Sequence, residues 1–176
     1  MDLTRLTAAD LPVDLGYLHL VRFLGDGSCG RTFRAQSRGM GGLPRSVAVT
    51  VLPREVFQDQ LRWRELQTEV SRAALLRHRG VVRTFSLTDE SSAPYLVSEL
   101  VAGATLDQLL GRGGPVAPRQ AIAICIQLIS ALAAAHEPAP GSGDIAIPHG
   151  ELRPSAVMLG MDGVLKLRGF GLRKVQ

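Results

Sequence analysis

Apolar and polar positions along this chain alternate at first and then take on a helical period. Residues 1–16 mix the two kinds without a repeat and read as an N-terminal extension. Tyr17 to Leu24 alternates as a strand does, and Thr32 to Gln36 does so again. Ser46 to Leu52 (SVAVTVL) is a β-branched run between prolines, the composition that suits a pleated, half-buried surface. A glycine-rich turn, Gly25 to Gly30, joins the first two strands, and a second glycine loop spans 39–42. From about Gln58 to Arg77 the period lengthens, and Leu66, Ala73 and Leu76 share one helical face. Val81 to Leu87 and Tyr95 to Leu100 read as two further strands joined by the turn-rich DESSAP. Leu106 to Leu110 reads as a short helix. Pro118, a residue favoured at a helix start, opens a long helix that runs to His136. After the loop PAPGSGD come two short strands, near Val157–Leu159 and Val164–Leu167, around an Asp162-Gly163 turn. A sheet carrying one helix, followed by a mainly helical stretch, predicts an α+β fold with a small and a larger lobe.

Composition narrows the function classes. With 176 residues the chain suffices for one domain or two small lobes, and 45% apolar against 20% charged content fits a folded chain. The net charge is +4, and all but two of the 20 basic residues are arginines, spread without a block. That spread, with 5% aromatics, gives neither a nucleic-acid footprint nor a base-stacking platform. Cys29 and Cys125 lack metal-ligand spacing and are too few for a disulfide framework, which predicts a reduced, cytoplasmic setting. No apolar leader follows a basic start, and the apolar run Ala121 to Ala135 is too short to span a bilayer, so no membrane span is expected.

The chemistry-bearing motifs come in a definite order. Leu24-Gly25-Asp26-Gly27-Ser28-Cys29-Gly30 lies between two strands, whereas a dinucleotide fingerprint needs a helix next. Glycines at this spacing let backbone fold closely over phosphates. Val47-Ala48-Val49-Thr50 follows, then Glu69 nine residues before His78. Next come Tyr95-Leu96-Val97-Ser98-Glu99-Leu100-Val101, His149-Gly150-Glu151-Leu152-Arg153-Pro154 and Arg168-Gly169-Phe170-Gly171. Together these six segments, over about residues 17 to 175, resemble a bacterial-type Ser/Thr protein kinase domain. The His-Gly-Glu-Leu segment is also similar to small-molecule phosphotransferases of the same fold. The resemblance implies a protein-kinase-like fold: a five-stranded antiparallel N-lobe with its αC helix (17–100), then a hinge and the first, mainly helical part of a C-lobe (101–176).

It also implies a nucleotide site and its losses. Gly25, Gly27, Gly30, Thr32, Ala48, Thr50, Glu69, Glu99, Val101 and Met158 stand where the family holds ATP, and His149 and Phe170 where it builds a hydrophobic spine. The strand lysine that grips phosphates is replaced by Thr50, and the catalytic-loop aspartate by Glu151, with Arg153 at the neighbouring lysine. Ala156 and Gly169 replace the two metal ligands, so no metal site is expected. Phosphoryl transfer is mainly positioning and charge neutralisation, and an ångström of misplacement costs about 100-fold in rate. Glu69 has lost its usual cation, which leaves either solvation or a compensating arginine such as Arg34. The expected function is therefore a catalytically impaired, pseudokinase-like binding or regulatory module, holding ATP weakly and without magnesium if at all. The alternatives are a divergent Ser/Thr kinase with residual transfer and a fragment of a longer kinase-like protein. The chain ends just past the Gly-Phe-Gly turn. Helix 121–135 is apolar nearly all round, so a protein partner or the remainder of a longer chain is expected to cover it.

Overall fold

A computed structural model describes residues 3–38, 42–88, 93–137, 146–172 and 175. The chain forms two compact units, one of Met1–Ala74, Thr84–Leu100 and Lys174–Gln176, the other of Leu75–Arg83 and Val101–Arg173.

The first unit is built on an antiparallel sheet. Its strands are β1 (Val13–Leu15), β2 (Leu18–Gly27), β3 (Gly30–Ser37), β4 (Ser46–Val51), β5 (Thr84–Thr88) and β6 (Tyr95–Glu99), in the order β1-β2-β3-β4-β6-β5. The five expected strands are all present, and β1 adds a sixth at the edge. Alternation decides what each strand buries. Phe33 and Ala35 of β3, Val47, Val49 and Val51 of β4, and Tyr95 and Val97 of β6 lie in one apolar cluster. Thr32 and Thr50, at the intervening positions, are register partners on the opposite face. The stretch read as an aperiodic extension contributes to the core. Leu3 and Leu6, on and beside a 3-10 turn, join that cluster with Val13.

Helix α1 (Arg54–Gln58) was not foreseen; it precedes α2 (Gln60–Ala73), the helix expected from the 3.6-residue period. Asp59 caps α2, its side chain accepting from the Leu61 and Arg62 amides and satisfying donors that the first turn leaves open. The helix buries Trp63, Leu66, Val70 and Ala73. Glu69 sits at the margin of that stripe and is half-buried.

In the second unit, β7 (Gly103–Thr105), β8 (Val157–Gly160) and β9 (Leu165–Leu167) form a three-stranded antiparallel sheet. The approach of β7 to β8 admits only glycine at 103, since a Cβ there would lie 2.0 Å from the Leu159 carbonyl oxygen. The predicted strand from Val81 is shorter than expected: regular pairing begins at Thr84, and Val81 makes only a single bridge to Leu167. Helix α3 (Leu106–Gly113) starts at a capping box between Thr105 and Gln108. Helix α4 (Pro118–His136) packs on β9, with Gln127 Oε1 accepting from the Leu165 amide at 2.9 Å and Ser130 Oγ 3.4 Å from His78 Nε2.

Candidate functional site

The glycine-rich segment folds as a hairpin rather than an open loop. β2 and β3 stay paired as far as Gly27 and Gly30, leaving Ser28 and Cys29 as the tip. Its glycines differ in what they permit. Gly25 has φ +145° and open space around a would-be Cβ. Gly30 has φ +131°, and a Cβ there would meet the Val51 carbonyl oxygen at 2.0 Å. Gly30 is therefore demanded by the packing of β3 on β4, quite apart from any ligand. The clamp across this hairpin, in which Arg31 Nε donates to Asp26 Oδ1 at 2.8 Å, is a contact that sequence reasoning missed.

On the same sheet Thr50, at the position of the family lysine, is half-buried with its hydroxyl 3.1 Å from that of Thr32. A neutral hydroxyl pair thus occupies a place where the resemblance implies a cation. Ala48 is buried, one position away from the Val47–Glu99 register pair, and Glu99 is half-buried at the end of β6. Arg34, the arginine considered as a partner for Glu69, is exposed, and its Nη2 donates to Ser46 Oγ at 3.4 Å.

The second unit holds the catalytic-loop residues. His149 is buried and stands edge-on to Phe170, with ring centroids 4.8 Å apart, so the two expected spine residues do meet. The Glu151 amide donates to Nδ1 at 3.3 Å, and Nε2 donates to the Arg168 carbonyl at 2.8 Å. That pattern fixes a neutral imidazole with its proton on Nε2. Burial pushes the His149 pKa below its ordinary value, against the opposing pull of the Arg168 carbonyl and of Glu151.

Glu151 and Arg153 close on each other. Glu151 Oε1 lies 2.7 Å from Arg153 Nη2, both side chains being a little over one-third exposed. The other oxygen, Oε2, is buried without a hydrogen-bond partner among the described residues. A carboxylate held this way has its charge matched by a neighbouring cation, with Oε1 engaged and Oε2 not.

Arg168, beside Gly169, was not singled out from the sequence. Its Nε donates to the Ser155 carbonyl at 3.1 Å and its amide to Ala156 at 2.9 Å, so it stitches the catalytic-loop segment to the Gly-Phe-Gly turn. Asp107, on α3, feels this cation, but its carboxyl is held below the usual range chiefly by the Thr105 hydroxyl. Gly169 has φ +98°, and a Cβ there would lie 3.8 Å from the His149 ring. A magnesium ion does not fit the residues present, since Ala156 and Gly169 offer no oxygen side chain where the family coordinates one. Val101 and Met158, the remaining expected lining residues, are half-buried in this unit.

The protein kinase domain model matches residues 18–176. The chain belongs to the protein kinase domain family. Among its curated relatives, the Ser/Thr protein kinase PrkC of Bacillus subtilis is 28% identical over 157 residues, covering 89% of this chain and 23% of PrkC. PknB of Mycolicibacterium smegmatis is 30% identical over 136 residues, covering 75% of this chain and 21% of PknB. The chain thus spans about a quarter of the length of these kinases. The kinase domain of Mycobacterium tuberculosis PknI superposes with a TM-score of 0.76 at 24% identity, covering 95% of this chain and 62% of that one. That likeness establishes the protein-kinase fold, with its antiparallel small-lobe sheet and helical segment.

Proposed function

We propose that this kinase-family domain is catalytically impaired and works as a binding or regulatory module of the pseudokinase kind, holding nucleotide weakly and without magnesium. The observation that carries this reading is Glu151 closed onto Arg153 at 2.7 Å. A group in the base position must be within hydrogen-bond reach of the hydroxyl it serves, and here Oε1 is already engaged by Arg153. The Thr32–Thr50 hydroxyl pair supports the reading from the first unit, because it offers phosphate no charge.

A thermal-shift titration with ATP, with and without magnesium, is the direct test. A small shift independent of magnesium is expected. No shift at millimolar ATP would remove nucleotide from the proposal. A magnesium-dependent shift, together with phosphate incorporation abolished by Glu151→Ala, would favour a divergent Ser/Thr kinase instead.

A docking role belongs to the same proposal. Helix α4 is 19 residues long and apolar enough, by length and composition, to cross a membrane, but its bonds to Leu165 and His78 tie it to the second unit. It buries Ala131 and Ala135, while Ile122, Ile126 and Ile129 are 61–65% exposed. The remainder of a longer kinase-like chain is the favoured cover, because the PknI domain it resembles extends by more than a third of its own length beyond the matched part. A partner protein is the alternative. Light scattering on this chain should show concentration-dependent association, and a clean monomer would count against a required cover. A cytoplasmic setting is also proposed, supported by Cys29 and Cys125 standing outside any disulfide.

A further inference from the structure

Residues 3–7 precede the region that the family model matches, which begins at residue 18. They are nevertheless seated on the core of the first sheet, with Leu3 and Leu6 only 2% and 3% exposed. Immediately afterwards, the amide and hydroxyl of Thr7 donate to Asp10 Oδ2 at 2.7 and 2.6 Å. The peptide between these two anchors is thereby held in place. Its Leu6 carbonyl accepts from Arg31 Nη1 at 2.6 Å.

Arg31 is the first residue after Gly30, and it serves two other groups at once. Its Nε donates to Asp26, its register partner on the opposite arm of the hairpin. Its guanidinium carbon stands 5.3 Å from the centroid of the Phe23 ring, lower on that same arm. One planar cation therefore touches both arms of the glycine-rich hairpin and the N-terminal segment. Its side chain is 29% exposed, so these contacts are less screened than those of an open surface pair. Gly25, Gly27 and Gly30 supply no side chains for packing, so beyond backbone pairing the side-chain anchoring of this hairpin falls to residues such as Arg31.

We infer that residues 3–7 form an intramolecular strap whose docking, through Arg31, sets the conformation of the glycine-rich hairpin. The coupling runs both ways, as linkage requires. Unseating Leu3 and Leu6 withdraws the carbonyl that positions Arg31, and removing the guanidinium loosens the strap. The inference is independent of whether the hairpin ever meets a nucleotide.

Hydrogen exchange on the full chain tests it. In the double variant Leu3→Ser/Leu6→Ser, which leaves the hairpin sequence untouched, amides 25–31 are expected to exchange about tenfold faster. In Arg31→Ala, the amides of 3–7 are expected to lose protection reciprocally. In both, β4 and β6 keep theirs. Unchanged hairpin exchange in the double variant, or unchanged exchange of residues 3–7 in Arg31→Ala, overturns the strap. Should the serine variant also lose protection in β4 and β6, Arg31→Gln, which leaves the apolar core intact, decides by the same two readings.

Discussion

The two units depart from the family pattern in different ways. In the first, charge is absent: the lysine position has become Thr50, satisfied by Thr32 on the neighbouring strand. In the second, charge is retained and spent internally, Glu151 on Arg153 and Arg168 on the Ser155 carbonyl. Each unit keeps a feature that shapes its own fold, the tight hairpin in the first and the His149–Phe170 contact in the second. Deleting a charge and replacing it with a hydroxyl costs little once the hydroxyl has a partner. Glu151 and Arg153 are each a little over one-third exposed, so their attraction is partly screened by solvent. The second unit keeps charges that answer one another.

The largest effect should come from the glycine that packing demands. Gly30→Ala, whose methyl would fall 2.0 Å from the Val51 oxygen, is expected to lose about 3 kcal/mol or more in chemical denaturation. Gly25→Ala meets no neighbouring atom and should lose about 1–3 kcal/mol through its φ of +145° alone. Equal losses at the two positions would erase the distinction between a packing glycine and a conformational one.

His149 sharpens the second unit. Its folded pKa lies below the ordinary 6.5, with burial the main cause. Between those two values the unfolded chain binds a proton that the folded one refuses, so the stability this group contributes is present above about pH 6.5 and lost as pH falls below it. Denaturation midpoints at pH 7.5 and 5.5 should fall on acidification in the wild type and fall less in His149→Gln. An unaltered slope in the variant would show that His149 is not the group responsible.

The smallest effect belongs to the first unit. Thr50→Val removes one half-buried hydrogen bond between neutral groups and should cost about 0.5–1.5 kcal/mol. If it costs as much as truncating His149, the hydroxyl pair is a structural keystone rather than a filled vacancy.

Much of this architecture was legible in the sequence because it is carried by local pattern. SVAVTV announces β4 through β-branched residues bounded by prolines, and the helical repeat of Leu66 and Ala73 announces α2. The N-terminal segment escaped because Leu3, Leu6 and Val13 anchor singly, at no fixed period, on strands distant in sequence. The three-residue β7 is too short to show alternation, and its existence depends on β8 more than 50 residues later. Among site residues, the departures of Thr50, Ala156 and Gly169 from the pattern that the resemblance implies could be read from side-chain identity alone. The pairings could not. Arg31 meets Asp26 only through hairpin register, and Arg168 reaches Ser155 only after the chain has doubled back. Arg153 beside Glu151 was visible as a spacing, but whether two side chains two apart meet is set by the turn between them.

The positive φ of Gly169 sets the terms on which this turn could carry a side chain. Its backbone stands at +98°, in a region that L-residues rarely adopt. A Cβ added there would meet nothing nearer than the His149 ring at 3.8 Å, so space is not the obstacle. Placing a carboxylate at this turn is therefore a question of backbone conformation before it is one of room, and a variant that carries one should be judged first on whether the turn keeps its shape.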